Sequence, residues 1–140
     1  MILSQTGAHA LRAVFYVAQH EEDHLVRVGD IAEALGIPRN YLSKILHQLA
    51  RSGVLASARG KTGGFRLAIP ADRLALIDIV QQFDRLEEQR QCLLGRPVCS
   101  DRRPCAAHER WKKTADSVAG FFRDTRVADV LSEGTTPAQV

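Results

Sequence analysis

The chain has 140 residues, of which 45% are hydrophobic and 25% charged, the composition of a globular protein with one principal core. Its formal charge of +3 is a mild basic excess, which indicates nucleic-acid binding only where the cations cluster. No apolar run approaches the ~20 residues of a membrane-spanning helix, and the first residues lack the basic and apolar regions of a signal peptide. We therefore expect a cytoplasmic protein that does not span a membrane.

The N-terminal segment predicts one amphipathic helix over residues 4–20, with Ser4 or Thr6 as its cap. Its apolar residues recur at helical spacing: Ala10, Leu11, Val14, Phe15 and Ala18. Residues 21–24 are charged or polar and predict a solvated turn. Residues 25–28 predict a short extended segment that leads into the next helix.

Two further helices follow with a tight turn between them. Asp30 is the predicted cap of the first, which Gly36 ends. Pro38 marks the start of the second, which runs to about Ser52 and is closed by Gly53. Two helices joined by a short glycine-containing turn are typical of a helix-turn-helix.

The second helix of this pair has two distinct faces. The apolar face, at i, i+3, i+4 and i+7 spacing, carries Leu42, Ile45, Leu46 and Leu49. The opposite face contains no acidic residue and carries Arg39, Asn40, Ser43, Lys44, His47 and Arg51. A merely solvated face usually mixes both signs of charge, so we predict that this face contacts DNA bases and phosphates.

A predicted β-hairpin comes next, with two short extended segments on either side of residues 59–64. Its tip is rich in glycine and carries Arg59 and Lys61, which could reach phosphates or the minor groove. A hairpin directly after a helix-turn-helix predicts a winged helix. The alternative of a phosphate-binding P-loop fails, because Lys61 and Thr62 lie inside the hairpin and the upstream glycine is missing.

The C-terminal part predicts two more helices on either side of a cysteine-containing loop. The first spans residues 71–84, with Leu76, Ile79, Val80 and Phe83 on one face. The second is a long helix from about residue 104 to 132, whose seam carries Trp111, Ala115, Val118, Phe122 and Thr125, with Phe121 beside it. Packing of this seam against a second copy predicts a homodimer.

The expected fold is therefore mainly α with a small β-hairpin wing. Residues 1–84 form the predicted winged helix-turn-helix domain, and residues 85–108 form the cysteine loop. Residues 109–132 are the predicted dimerisation helix, and residues 133–140 a disordered tail.

The loop holds every cysteine of the chain, Cys92, Cys99 and Cys105, and His108 follows three positions later. Thiolate and imidazole ligands suit an iron–sulfur cluster or zinc. Structural zinc usually takes cysteines in close pairs, whereas the two gaps here hold six and five residues, which favours a cluster. A metal-free thiol switch, with thiolates stabilised by neighbouring arginines, is the third reading.

This arrangement resembles the winged helix-turn-helix iron–sulfur regulators of the IscR, NsrR and RirA type over nearly the whole chain. The matching residues are Ser4–Gly7, Asp30–Ala32, Tyr41–Leu42, Gly53, Arg59–Gly60, Gly63–Gly64 and the three cysteines. The resemblance implies a cytoplasmic homodimer that binds palindromic operators in double-stranded DNA, with its affinity set by the cluster. It also adds Tyr41 to the DNA-contacting residues.

The same resemblance implies a ligand set. The three cysteines match the family's cysteine ligands, and His108 stands where IscR-like members place a histidine ligand to a 2Fe–2S cluster; 4Fe–4S is the second option. Some NsrR-like members use a carboxylate of the partner's first helix, but Gly7, Ala8 and His9 offer none here. His9 of the partner chain is the reserve fourth ligand. IscR-like members carry a glutamate at the position of Ser43, so the IscR-type scheme of cluster-dependent operator choice does not carry over to this chain. The operator sequence does not carry over either.

We therefore expect a transcriptional regulator that senses redox state, nitric oxide, or iron or iron–sulfur status. The alternatives are a zinc or thiol-based winged-helix regulator, a winged-helix regulator that binds a small molecule, and a small iron–sulfur electron carrier. An enzyme is not expected, because the sequence offers no nucleophile–base pair, no paired carboxylates and no glycine-rich cofactor loop before a helix.

Overall fold

The computed structural model describes residues 2–22, 24–86, 93–94 and 101–132. Its elements are α1 (Gln5–His20), α2 (Val28–Leu35), α3 (Arg39–Arg51), β1 (Leu55–Ala58), β2 (Gly64–Leu67), α4 (Leu76–Val80), α5 (His108–Asp124) and α6 (Val127–Ser132). The predicted mainly helical fold with a two-stranded wing is confirmed. Among the described residues, no helix is long and apolar enough to cross a membrane.

Helix α1 is the centre of the core. Ser4 caps it as predicted, because the Ser4 Oγ accepts a hydrogen bond from the Gly7 N–H at 3.0 Å. Its buried residues are Gly7, Ala10, Leu11, Ala13, Val14, Phe15 and Val17. The small residues among them let α1 contact α2, α3, α4, α6 and β2. The helix-turn-helix and the C-terminal segment are therefore both built on α1.

The helix-turn-helix has the predicted order, with two shifts at helix starts. Helix α2 begins at Val28, so Asp30 lies in its first turn and is not the N-cap. An acidic residue there still favours the helix, because the N-terminal end of the helix dipole is positive. Pro38 is the N-cap of α3 and lies just before its first helical residue. Gly36 ends α2 with φ 65°, a left-handed conformation that glycine adopts easily.

The wing is a β-hairpin with an additional backbone pairing. Strands β1 and β2 are antiparallel and pair Leu55 with Leu67 and Ala58 with Gly64. Val26 forms an isolated bridge to Phe65, with reciprocal N–H to carbonyl bonds of 2.8 Å. Phe65 is buried, so the hairpin is fastened to the core through the segment that precedes α2.

Helix α4 is much shorter than the helix predicted over residues 71–84. Only Leu76–Val80 is α-helical, and turns flank it on both sides. The backbone before α4 pairs with the segment after α5 instead of forming helix. Ala75 forms a bridge with Arg126, and the Leu74 carbonyl accepts a hydrogen bond from the Val127 N–H at 2.9 Å. The apolar residues of the predicted face are nevertheless buried or half-buried.

The predicted continuous helix from about residue 104 to 132 is wrong, because α5 begins at His108 and the chain breaks between α5 and α6. Thr125 is extended, with φ −91° and ψ 127°, and its carbonyl accepts from the Leu76 N–H at 3.0 Å. Val127 is fully buried. Backbone bonding to the residues around α4 thus wins over helix continuation and turns α6 back onto its own chain. The predicted disordered tail, residues 133–140, lies outside the described residues.

The segment that leads from α4 toward the cysteine loop is fastened to the start of α1. The Asp84 carboxylate accepts hydrogen bonds from the Ser4 N–H at 3.2 Å and from the Ser4 Oγ at 3.0 Å. A Cβ atom on Gly7 would collide with the same carboxylate. We call this contact of Asp84 with Ser4 and Gly7 the α1 clasp.

We predict that Gly7→Ala opens the α1 clasp. In a helix, alanine is favoured over glycine by about 1 kcal/mol, so the substitution should stabilise the protein once the carboxylate is gone. We expect Gly7→Ala to destabilise the wild-type chain and to stabilise Asp84→Ala. Urea unfolding of the four proteins should give a coupling free energy of about 1–2 kcal/mol. Equal effects of Gly7→Ala in both backgrounds would show that the clasp does not exist.

Candidate nucleic-acid interface and metal centre

The two faces of α3 are placed as the sequence predicts. The four apolar residues Leu42, Ile45, Leu46 and Leu49 are buried. Ser43 is half-buried, and the other polar residues of the opposite face are exposed: Arg39, Asn40, Lys44, His47 and Arg51. The exposed face therefore offers amide, imidazole and cationic donors without a competing carboxylate.

A groove lies between this face of α3 and the wing. Among the described residues, its charged and titratable lining side chains are Arg27, Arg39, His47, Arg59 and Lys61, and none of the lining side chains is a carboxylate. Four permanent cations facing one concave surface match the negative charge of a nucleic-acid backbone. The cations therefore cluster on one surface, which the mild net charge alone could not show.

Arg27 is a groove residue that sequence reasoning missed. Its guanidinium donates a hydrogen bond to the Lys61 backbone carbonyl, which links the residue before α2 to the tip of the wing. The signal was weak, because a single arginine in a short extended segment has no periodic context. Only the pairing of Val26 with Phe65 brings it beside the wing.

Tyr41 fastens α3 to α1. Its hydroxyl is hydrogen-bonded to the Thr6 hydroxyl, and its ring meets the His9 ring edge-on with centroids 5.8 Å apart. The side chain is half-buried in this contact. These contacts set the orientation of α3, so the role predicted for Tyr41 at the DNA stays a prediction.

His9, the reserve fourth ligand, lies in the same contact. Burial, followed by the positive charge of Arg12, lowers the pKa of His9 and favours the neutral ring. Its Nδ1 is buried and has no hydrogen-bond partner among the described residues. A neutral imidazole is the form that binds metal ions, but in its own chain His9 faces Tyr41. Its role as a ligand stays a prediction.

Two of the four predicted metal ligands lie in the described part of the chain. Cys105 is a half-buried free cysteine, and His108 is buried with only 3% of its surface exposed. The His108 N–H donates to the Cys105 carbonyl at 3.0 Å, so one tight turn joins the two residues at the start of α5. Cys92 and Cys99 lie outside the described residues. Within the described ranges no three His, Cys, Asp or Glu side chains are grouped closely enough to hold a metal ion.

Asp101 is a further member of this cluster that sequence reasoning missed. Its Oδ1 lies 2.8 Å from the Nε2 of His108 and 3.2 Å from the Nζ of Lys112. The hydrogen bond from His108, followed by that from Lys112, lowers the pKa of Asp101. A carboxylate that binds one ring nitrogen fixes the orientation of the other, which is a common arrangement behind metal-bound histidines.

Helix α5 covers more of its apolar stripe within its own chain than the sequence suggests. Phe122 belongs to the core, and Val118 packs against it. Trp111 and Ala115 are half-buried, whereas Phe121 is 56% exposed. The large apolar side chain that α5 leaves exposed is thus Phe121, whereas the predicted seam residue Phe122 packs in the core of its own chain.

Comparison with known proteins decides the family. The model of the Rrf2 family, described as iron-dependent transcriptional regulators, matches residues 3–133. The chain belongs to the Rrf2 family. A predicted HTH-type transcriptional regulator of Aquifex aeolicus (strain VF5) is 36% identical over 134 residues, covering 94% of this chain and 92% of that protein. The HTH-type transcriptional regulator IscR of Vibrio atlanticus (strain LGP32) is 29% identical, covering 95% of this chain and 76% of IscR.

Solved structures show the same fold. The T. potens IscR structure superposes with a TM-score of 0.76 at 23% identity, covering 95% of this chain and 88% of that chain. CymR (YrzC), described as the global cysteine regulator of B. subtilis, gives 0.81 at 21% identity, covering 94% and 96%. The Rrf2 protein described here is therefore a DNA-binding transcriptional regulator and not an enzyme, as the sequence predicted.

Arg59 should contact a DNA phosphate from the wing. We predict that Arg59→Ala weakens DNA binding and lowers the slope of log K against log salt by about 1, because one phosphate contact is lost. Fluorescence anisotropy at several salt concentrations measures both quantities.

The matched control is Arg66→Ala, which removes the same charge from exposed Arg66 on β2 outside the groove. It should leave the salt slope unchanged. Equal slope changes for the two variants would mean that only net charge matters and that the groove is not the DNA-binding surface.

Proposed function

We propose that this Rrf2-family protein is an iron–sulfur-dependent, cytoplasmic transcriptional regulator. Cys92, Cys99, Cys105 and His108 would hold the cluster, with 2Fe–2S favoured over 4Fe–4S. The observation that supports the proposal best is the turn at the start of α5, which joins a half-buried thiol to a buried imidazole oriented by Asp101. The signal class would be redox state, nitric oxide, or iron or iron–sulfur status.

The donor chemistry of this turn fits an iron–sulfur cluster. Cysteine thiolates are the usual ligands, and histidine replaces cysteine in some 2Fe–2S centres. A bound cluster would supply a redox-active centre at the start of α5. His108 needs little reordering to serve there, because its burial and its bond to Asp101 already restrict the ring. Lys112 holds the same carboxylate from the next turn of α5.

The residues just before the cysteine loop contact the DNA-binding elements directly. The Gln48 amide of α3 donates to the Gln82 carbonyl at 2.8 Å. Two residues later, Asp84 forms the α1 clasp through Ser4. A change in the order of the loop that follows would therefore act on α3 and on the start of α1 together. Coupling of about 1–3 kcal/mol would change operator affinity between a few-fold and a hundred-fold.

DNA binding would use two copies of the chain on a palindromic operator. Two α3 helices would occupy successive major grooves about 34 Å apart, with the wings beside them. The groove cations would contact phosphates, and the exposed polar residues of α3 would face base edges. The dimer surface would lie on the exposed side of α5 around Phe121.

We predict that Phe121→Arg converts the dimer into a monomer, because it places a charge in a surface that must lose water on association. Sedimentation-velocity ultracentrifugation measures the change. The control is Lys113→Arg on the same helix, where an exposed cation is conserved. A dimer that survives Phe121→Arg at low micromolar concentration would place the interface elsewhere.

We predict that Cys105→Ala or His108→Ala abolishes or strongly weakens cluster binding, whereas His108→Cys retains a cluster with an altered spectrum. Protein is purified without oxygen, and absorbance, Mössbauer spectra and iron content are measured. The control is His24→Ala, which removes an exposed histidine far along the chain from the loop. The same variants are tested for operator affinity, so that cluster loss and DNA binding are scored separately.

Colourless wild-type protein with one zinc per chain would overturn the iron–sulfur proposal in favour of a zinc-containing regulator. Colourless protein without metal, whose DNA binding responds to thiol oxidants, would indicate a thiol-based regulator instead. Operator binding that is identical in Cys105→Ala and in cluster-loaded wild type would show that the cluster does not control DNA affinity.

A further inference from the structure

We propose that His47 is a specificity-determining residue that reads an exocyclic amino group in the DNA major groove through its Nε2 atom. The amino group would be that of adenine N6 or cytosine N4. This inference deepens the proposed function, since it rests on α3 binding DNA. It assigns a chemical partner to a side chain that the sequence marks only as part of a polar face.

The hydrogen bonding of His47 fixes which ring nitrogen carries the proton. Its Nδ1 lies 2.7 Å from the backbone carbonyl oxygen of Ser43. A carbonyl oxygen only accepts hydrogen bonds, so Nδ1 must be the donor. In the neutral ring the proton is therefore on Nδ1, and Nε2 presents a lone pair. The Ser43 Oγ lies 3.4 Å from the same Nδ1, so both contacts to Ser43 hold the Nδ1 edge of the ring against α3.

The ring is also held in place from the wing. Its centroid lies 5.6 Å from that of Phe65, with the planes at 83°, an edge-to-face contact. Phe65 is buried and is bonded on both sides to the Val26 backbone, so it cannot move with the His47 side chain. The ring is exposed yet restrained by α3 and β2. A restrained ring loses little conformational entropy on binding.

His47 differs from the other charged or titratable side chains of the groove in the hydrogen bonds that it can form. The groove it lines contains Arg27, Arg39, Arg59 and Lys61, which can only donate hydrogen bonds. These four side chains suit phosphate oxygens. A lone pair on Nε2 does not, because a phosphate oxygen is also an acceptor. Neutral His47 therefore needs a donor, and in the major groove the donors on base edges are adenine N6 and cytosine N4.

The test compares sequence preference and salt dependence for three full-length proteins. Binding sites are selected from random double-stranded DNA with anaerobically purified wild type, His47→Phe and His24→Phe. His47→Phe keeps an aromatic ring against Phe65 but removes both nitrogens, and His24→Phe makes the same change away from the groove. We expect only His47→Phe to lose discrimination, by about 10- to 100-fold, at one base pair per half-site. Its salt slope should equal that of wild type.

Base analogues identify the amino group. At the selected position, adenine is replaced by purine, which lacks N6, or cytosine by 2-pyrimidinone, which lacks N4. The analogue should weaken wild-type binding about as much as His47→Phe does, and should not weaken the variant further. A lower salt slope for His47→Phe would overturn the inference in favour of a phosphate contact by a protonated ring. Wild-type binding that is unchanged when the amino group is removed would overturn it in favour of a contact to an acceptor such as guanine N7 or O6.

The outcomes for His47 and for the proposed function are distinguishable. Wild-type protein that selects no DNA sequence contradicts the proposed regulator. Wild-type protein that selects the same sequence with and without the cluster contradicts the proposed cluster dependence. Wild-type protein that selects a sequence which His47→Phe reads with unchanged preference contradicts the role of His47 alone.

Discussion

The α1 clasp is the contact on which the rest of the molecule depends most directly. Asp84 lies directly before the cysteine loop, and its carboxylate accepts hydrogen bonds from Ser4, the residue that caps α1. Because Ser4 both caps α1 and binds Asp84, the first turn of the central helix and the exit of α4 form one bonded unit. Gly7 is required by the same geometry, since any side chain there would displace the carboxylate.

A second link from the start of α1 reaches the recognition helix. Thr6 is hydrogen-bonded to Tyr41 of α3. The start of α1 therefore contacts Asp84 through Ser4 and contacts α3 through Thr6. The hydrogen bond from Gln48 to Gln82 connects the other end of α3 to the segment that precedes the cysteine loop. The loop-dependent signal proposed for this protein would thus reach the exposed face of α3 through hydrogen-bonded groups of a single chain.

Sequence reasoning succeeded where periodicity and turn chemistry were decisive. The buried stripe of α3, the Ser4 cap, the Gly36 stop and the hairpin all follow from local spacing, and the structure confirms them. It failed at Thr125, where the local pattern favours a helix but backbone bonds to residues near α4 interrupt it. Such long-range backbone pairing leaves no periodic trace in the sequence.

The candidate sites show the same division. The cations of α3 and of the wing tip could be found from the sequence, because they recur on one helix face or stand in a glycine-rich turn. Arg27 could not, since its place in the groove depends on a bridge between Val26 and Phe65. Asp101 stands inside the predicted metal loop, yet nothing in its spacing separates it from a solvated residue. Its contact with buried His108 gives it a role that only the folded chain defines.

The two candidate histidines illustrate how one residue type is adapted to different tasks. At His108, a carboxylate on Nε2 and burial hold the ring at the entrance to α5. At His47, a backbone carbonyl on Nδ1 leaves the lone pair of the neutral ring on the exposed edge of α3. A carboxylate adds a negative charge that stabilises a cationic or metal-bound ring, whereas a neutral carbonyl fixes the tautomer without adding a charge. The first arrangement is consistent with the sensing centre proposed at His108, and the second with the recognition of a neutral donor proposed at His47, so different contacts around each ring support the two proposals.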